Sequence, residues 1–216
     1  MMNLKIFILK LFGYKKPSII QMLIRRLEIF FDKTRGLDFL SVRPEEQLGL
    51  DKNLVSKASP SGNKYLFYLL KNMKISDNDN ILDVGCAKGS ALKYFTMFPF
   101  KKIHGLELSK TLTKICANNF RILNISNIKV YNISATEFKG YNDYNFYYLY
   151  NPFPAVVMES VMQEINRQNT LNEVKYIIYN NPVCAEVVLK SEFKKIKTYP
   201  DMWGNGIHLF SKNDVF

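Results

Sequence analysis

The sequence predicts an α/β fold: a mostly parallel sheet, covered on both faces by helices and finished by an antiparallel pair of strands. Strand-like runs at 80–85, 102–108, 128–134, 146–150 and 174–179 alternate with helix-compatible segments. Parallel neighbours need crossovers of a dozen or more residues, and those crossovers are usually helices. At the end of the chain, FKKIKTYP and GIHLFSK are joined only by DMWGN. So short a connection makes an antiparallel hairpin at the sheet edge. With 216 residues, 47% of them hydrophobic, the chain can build one domain with a full core and a short extension.

The elements follow in order. The opening stretch is apolar but punctuated by Lys5, Lys10, Lys15, Lys16, Arg25 and Arg26. No apolar run approaches the ~18–20 residues that span a bilayer, and no signal-peptide cleavage pattern is present. Two amphipathic helices broken near Gly13 and Pro17 fit instead, packed on the domain or its site, or touching a membrane peripherally from the cytoplasmic side. Residues 35–62 read as loop, with Arg43-Pro44, Gly49 and Ser59-Pro60-Ser61-Gly62 as breakers. The run KYLFYLLKNM at 64–73 has the apolar spacing of a short helix. We therefore divide the chain into an N-terminal helical extension and loop, 1–60, and a main domain, 61–216.

The net charge is +11, yet only six of the thirty basic residues are Arg. Dedicated phosphate readers lean more on Arg, so a solvated Lys-rich surface is favoured over a nucleic-acid partner. Cys86, Cys116 and Cys184 are far apart, odd in number and without metal spacing, which describes reduced core residues of a cytoplasmic protein. No metal is required. His104 and His208 lie in strand-like runs and read as sheet residues.

The chemistry concentrates after the first strand. In ILDVGCAKGS, Gly85, Ala87 and Gly89 are small residues at alternate positions, which lets a turn lie close against a ligand, with Asp83 at the strand's end. The second strand ends in Glu107, eighteen residues after Gly89 and expected near solvent. A carboxylate there can accept hydrogen bonds from the vicinal hydroxyls of a ribose, so the pair points to a nucleoside cofactor. The frame from Gly85 places Ala87 and Ser90 where a dinucleotide fingerprint needs glycines, and no GxxxxGK[ST] occurs.

The residues DVGCAKG, with GLELS and YLYNPFP after them, resemble the class I S-adenosylmethionine-dependent methyltransferases over about residues 60–182. The resemblance implies a Rossmann-like seven-stranded sheet with its last two strands as a reversed hairpin, and S-adenosyl-L-methionine as cofactor. It implies that Asp83, Gly85, Ala87 and Gly89 form the turn around the methionine part and that Glu107 holds the ribose. Ser134-Ala135 stands where the family often has an acid-alanine pair, and Ser134 can still hydrogen-bond the adenine amine.

The fourth strand ends in Asn151-Pro152-Phe153, because proline cannot donate to a central ladder. The Pro152 carbonyl and the Asn151 side chain supply acceptors that could orient a nucleophile, and Phe153 could stack on a substrate or face a sulfonium. The stretch is similar to the (Asp/Asn)-Pro-Pro-(Tyr/Phe) motif of amine methyltransferases but lacks the second proline. Tyr150 and His208 are weaker candidates for a base. The whole chain looks most like small bacterial methyltransferases with a single-proline Asn-Pro-Phe and an upstream F-D-x-x-x-G-x-D segment, matched here at 31–38. These features imply methylation of a small molecule, sugar or glycan precursor, with a macromolecular amine methyltransferase and a non-catalytic cofactor-binding adaptor as alternatives.

Overall fold

The computed structural model describes residues 19–42, 48, 60–167, 174–201 and 204–212. The expected first helix, before Pro17, lies outside them. Helix α1 (Ile19–Thr34) and the loop after it lead to α2 (Lys64–Lys71). The main array then runs β1 (Asn80–Val84), α3 (Ser90–Phe95), β2 (Lys102–Glu107), α4 (Lys110–Ile122), β3 (Ile128–Asn132), β4 (Phe146–Tyr150), α5 (Ala155–Arg167), β5 (Lys175–Asn180), α6 (Ala185–Lys190), β6 (Lys194–Tyr199) and β7 (Ile207–Lys212). A 3-10 turn, Tyr141–Asp143, precedes β4. The sheet order is β3-β2-β1-β4-β5-β7-β6. The first five strands pair in parallel, and β7 is antiparallel to both β5 and β6. The expected fold class is the observed one.

Strand alternation builds two cores. Ile81, Ile103, Phe146, Tyr148, Ile178, Ile207 and Leu209 face one cluster, covered by α2, α3 and α4. Leu82, Val84, Leu106, Tyr147, Leu149, Ile177, Tyr179 and Phe210 face the other, covered by α5 and α6. Because β4 is buried on both sides, FYYLY is continuously apolar. Helices α2 and α4 start where a side chain satisfies their free amides, whereas α3 and α6 have no side-chain cap. Asn63 accepts from the N–H groups of Tyr65 and Leu66, and Ser109 accepts from Leu112.

Two features differ from expectation or extend it. Helix α1 does not bury its apolar face on the domain. Met22, Leu23, Ile24, Leu27, Phe30 and Phe31 are each 47–59% exposed, while Arg25 donates to the Leu40 carbonyl at 3.2 Å. The edge strand β6 carries exposed Lys194, Lys195 and Lys197 and breaks register between Lys195 and Lys197. Among the described residues no helix is long and apolar enough to cross a membrane.

Glycine is required where chain meets chain. A Cβ on Gly62 would lie 2.1 Å from the Ser90 carbonyl oxygen, whereas one on Gly204 would meet nothing within 4 Å and suffer only from its φ of +85°. In urea unfolding, Gly204→Ala should cost about 1–2 kcal/mol, the left-handed penalty alone. Gly62→Ala should cost more, in or above the ~1–3 kcal/mol of overpacking, because backbone blocks the new methyl.

Candidate active site

The chain runs outward from β1 through β2 to β3 and then returns to β4 beside β1. Strand order therefore reverses between β1 and β4, and ligands of open α/β sheets bind beyond the carboxyl ends at such a point. The turn after β1 and the Asn-Pro-Phe after β4 meet there. A Cβ on Gly85 would be 2.8 Å from Pro152 Cβ, so glycine is what allows the two loops to touch. Gly85 (φ +87°), Ala87 (φ +46°) and Gly89 (φ +84°) are all left-handed. Gly89 answers a different constraint, since a Cβ there would strike Cys116 and Phe120 of α4 at 2.6 Å.

Glu107 is not near solvent as expected. It is 7% exposed, and its two carboxylate oxygens accept from Ala87 N–H at 2.9 Å and Ser109 N–H at 2.7 Å. At the end of β2 its side chain reaches back to the turn after β1 and forward to the start of α4. Burial raises its pKa, and the amides of Ser109, Ala87 and Leu108 partly offset this. The two oxygens together keep acceptor capacity beyond these backbone bonds.

Asp83 lies one strand over. By alternation it shares the face of Ile81, and it is 2% exposed. Its Oδ2 is buried without a hydrogen-bond partner. Burial pushes its pKa well above the carboxylate range, and the neighbouring Glu107 adds to the shift. On the same face Asn180 donates to the Tyr148 hydroxyl at 3.2 Å, while its own Oδ1 is also buried and unpartnered. An orphaned buried acceptor is costly, and two at the same end of the sheet mark a place for a donor-rich or cationic ligand.

The loop after β4 divides its residues between the site and the core. Asn151 is left-handed (φ +38°), and both it and Pro152 are half-buried. Phe153 is 6% exposed and belongs to the cluster behind the sheet with Met158 and Val161. Its ring therefore anchors the loop and leaves Asn151 and Pro152 as the outward members. Ser134, half-buried just past β3, has its hydroxyl 2.9 Å from the Thr136 hydroxyl and accepts from Thr136 N–H at 3.3 Å.

Other candidates separate from this site. His208 alternates onto the opposite face, its ring edge-on to Phe210, and burial lowers its pKa. Tyr150 stays on the site's face, half-buried. The His104 ring nitrogen lies 2.6 Å from the hydroxyl of Tyr144, in the turn before β4. Cys86 and Cys116 are buried, and the Cys86 thiol is pushed up by its hydrogen bond with Cys116 and by burial; Cys184 is half-buried. Lys88 lies inside the turn without deciding from sequence which nucleoside is bound, and Asn180 carries no recognisable spacing; both are buried.

No family model matches the chain. Over 109 residues, 48% of its length, the chain is 29% identical to an uncharacterized protein of Rickettsia prowazekii (strain Madrid E), RP789. That stretch covers 20% of the relative, so the chain spans about a fifth of the curated protein it matches. Solved structures are alike in fold at low identity. A SAM-dependent methyltransferase from Aquifex aeolicus matches with a TM-score of 0.53 and 13% identity, over 68% of this chain and 87% of that one. The pyocyanin biosynthetic protein PhzM matches at 0.56 and 8%, over 69% and 54%. A geranyl diphosphate methyltransferase in complex with GPP and sinefungin matches at 0.50 and 13%, over 62% and 59%. With its strand order and antiparallel end, the chain has the Rossmann-like fold of the class I S-adenosylmethionine-dependent methyltransferases.

Proposed function

We propose that the protein is an S-adenosylmethionine-dependent methyltransferase acting on a small molecule, sugar or glycan precursor. The observation that carries this reading is the buried, partnerless Oδ2 of Asp83 beside Glu107 at the switch point. The residues fit the cofactor. Asp83 would accept from its ammonium group, Glu107 would use its remaining lone pairs for the ribose hydroxyls, and the turn carrying Gly85, Ala87 and Gly89 would follow the methionine part. Ser134 would border the adenine. When bound, the cofactor supplies a methyl group activated by a sulfonium.

The chain's own residues would orient the acceptor. Among the described residues no hydrogen bond occupies the Asn151 side chain. Its amide oxygen and the Pro152 carbonyl can accept from an amine or hydroxyl, leaving a lone pair directed along the transfer line. Phe153 fixes the loop from behind. The small-molecule reading is supported by the name of the geranyl diphosphate methyltransferase among the similar structures. Incubation with labelled cofactor and fractionated cell extract tests it: label in the low-mass fraction is expected, and label confined to protein or nucleic acid would replace it with the macromolecular reading.

Helix α1 suggests where the protein works. Its exposed apolar residues recur at three- and four-residue spacing, Arg26 and Lys33 flank them, and the first 27 residues hold six cations and no acid. That pattern favours peripheral contact with an anionic membrane from the cytoplasm. The protein should float with phosphatidylglycerol-containing vesicles and not with neutral ones, and Leu27→Ser with Phe31→Ser should abolish flotation. Equal recovery without vesicles would remove the membrane role.

Asp83 makes a pH test possible. Its folded pKa is raised, so burial favours the folded state below the unfolded value, and this advantage is lost as pH rises through the folded pKa. At neutral pH Asp83→Asn should therefore raise the melting point of the unliganded protein, about 2–4 °C for each kcal/mol recovered. The same variant should lose sinefungin binding. For the wild type, calorimetry should show affinity falling as pH drops from neutral toward the ordinary carboxylate range, because the Asp83 carboxyl must be ionised to pair with the ammonium group and its raised pKa brings protonation on early. Asn151→Ala should behave oppositely: turnover falling about 10²-fold or more by loss of an orienting contact, with cofactor affinity changed by less than about 1 kcal/mol.

A further inference from the structure

The segment F-D-x-x-x-G-x-D finds a physical reading in the turn it touches. Helix α1 ends in a paired cap: Leu37 N–H donates to the Asp32 carbonyl at 2.8 Å and Gly36 N–H to the Lys33 carbonyl at 2.9 Å. This geometry needs a left-handed residue, and Gly36 has φ +73°. The Asp32 carboxylate then accepts from Phe39 N–H at 3.3 Å, and Leu37 and Phe39 plunge into the core. Between them Asp38 is aimed at the glycine turn.

There it meets Lys88, a cation that is 5% exposed inside the turn itself. The Lys88 ammonium donates to Asp38 Oδ1, to the Ser41 carbonyl at 2.6 Å and to the Ser41 hydroxyl at 2.8 Å. Asn119 of α4 closes the arrangement. Its Oδ1 accepts from Asp38 N–H at 2.8 Å, and its Nδ2 donates to the Lys88 carbonyl at 3.1 Å. One residue earlier, Ala87 N–H is the donor to Glu107. The turn is thus fixed at Ala87 from β2 and at Lys88 from the N-terminal segment.

A buried ammonium is retained only when paired, and loss of one partner leaves the other charge uncompensated. A surface lysine would have served solubility without this cost. We propose that the 32–41 segment is a brace for the cofactor site, with Asp38 and Lys88 as positioning residues that hold the 85–89 turn in its ligand-ready path before the cofactor arrives. The proposal rests on the methyltransferase reading for what the turn binds, but not for the rigidity of the turn. Preorganisation of this kind raises affinity by removing the ordering cost from the binding step.

The test uses the full chain with sinefungin as probe, calorimetry for affinity and hydrogen exchange for the turn. Lys88→Met and Asp38→Asn should weaken sinefungin at least tenfold and speed exchange of the amides at 86–89 without ligand. Asp38→Glu should restore part of both, and Lys102→Met, far from the turn, should change neither. If Lys88→Met or Asp38→Asn fails to fold, Ser41→Ala keeps the charge pair while removing one contact, and should still weaken binding about threefold and speed turn exchange. Variants that lose thermal stability but bind as the wild type does, or whose turn amides exchange at the wild-type rate, would overturn the brace. A wild type that binds no sinefungin yet shows faster turn exchange in the variants would overturn the methyltransferase reading and leave the brace standing.

Discussion

The hydrogen bonds from Ala87 and Ser109 to the Glu107 carboxylate hold the functional end of this molecule together. A left-handed turn of small residues has little side-chain contact of its own, so its path must be imposed by neighbours. Glu107 imposes it from β2, and the Leu106 carbonyl adds bonds from the Gly85 and Cys86 amides. Once the turn is placed, Gly85 can admit Pro152 and Gly89 can admit α4, while Asp83 stays buried beside Glu107. A carboxylate expected to contact ligand is at the same time a structural keystone, which is why it is buried.

Much of this was legible from sequence, for reasons that differ by element. The strands were readable because buried parallel strands are short apolar runs between breakers, and the last pair because five residues cannot cross a sheet. Strand order was not readable from periodicity, which carries no neighbour information, and came from the resemblance. The position of Asn151 followed from Pro152 alone. The direction of Phe153 did not, because a ring beside a proline suits a substrate or a core equally well. Lys88 escaped because its partner lies fifty residues upstream in a loop, at no regular spacing. The exposed face of α1 escaped because a stripe in a sequence does not say what it faces.

The two buried carboxylates also set a tension between stability and use. Asp83 and Glu107 are adjacent, alike in charge and removed from water, an arrangement that a protein selected only for folding would replace. The aromatic wealth of the sheet, with Tyr147, Tyr148 and Tyr179 fully buried, supplies the apolar contact that tolerates it. The cost is local to the end where ligand would enter, and the cores on either face remain continuous.

The lysines of β6 bear on the crowded conditions in which any such chain must fold. A strand with an open side offers unpaired amides and carbonyls to any passing chain, and flat apolar edges join others readily. Here a would-be neighbour would bring its backbone against Lys194, Lys195 and Lys197 and across a break in register. Like strands approaching one another would repel before they could pair. Part of the charge that looks, in composition, like an affinity for nucleic acid therefore acts as protection against self-association through the sheet.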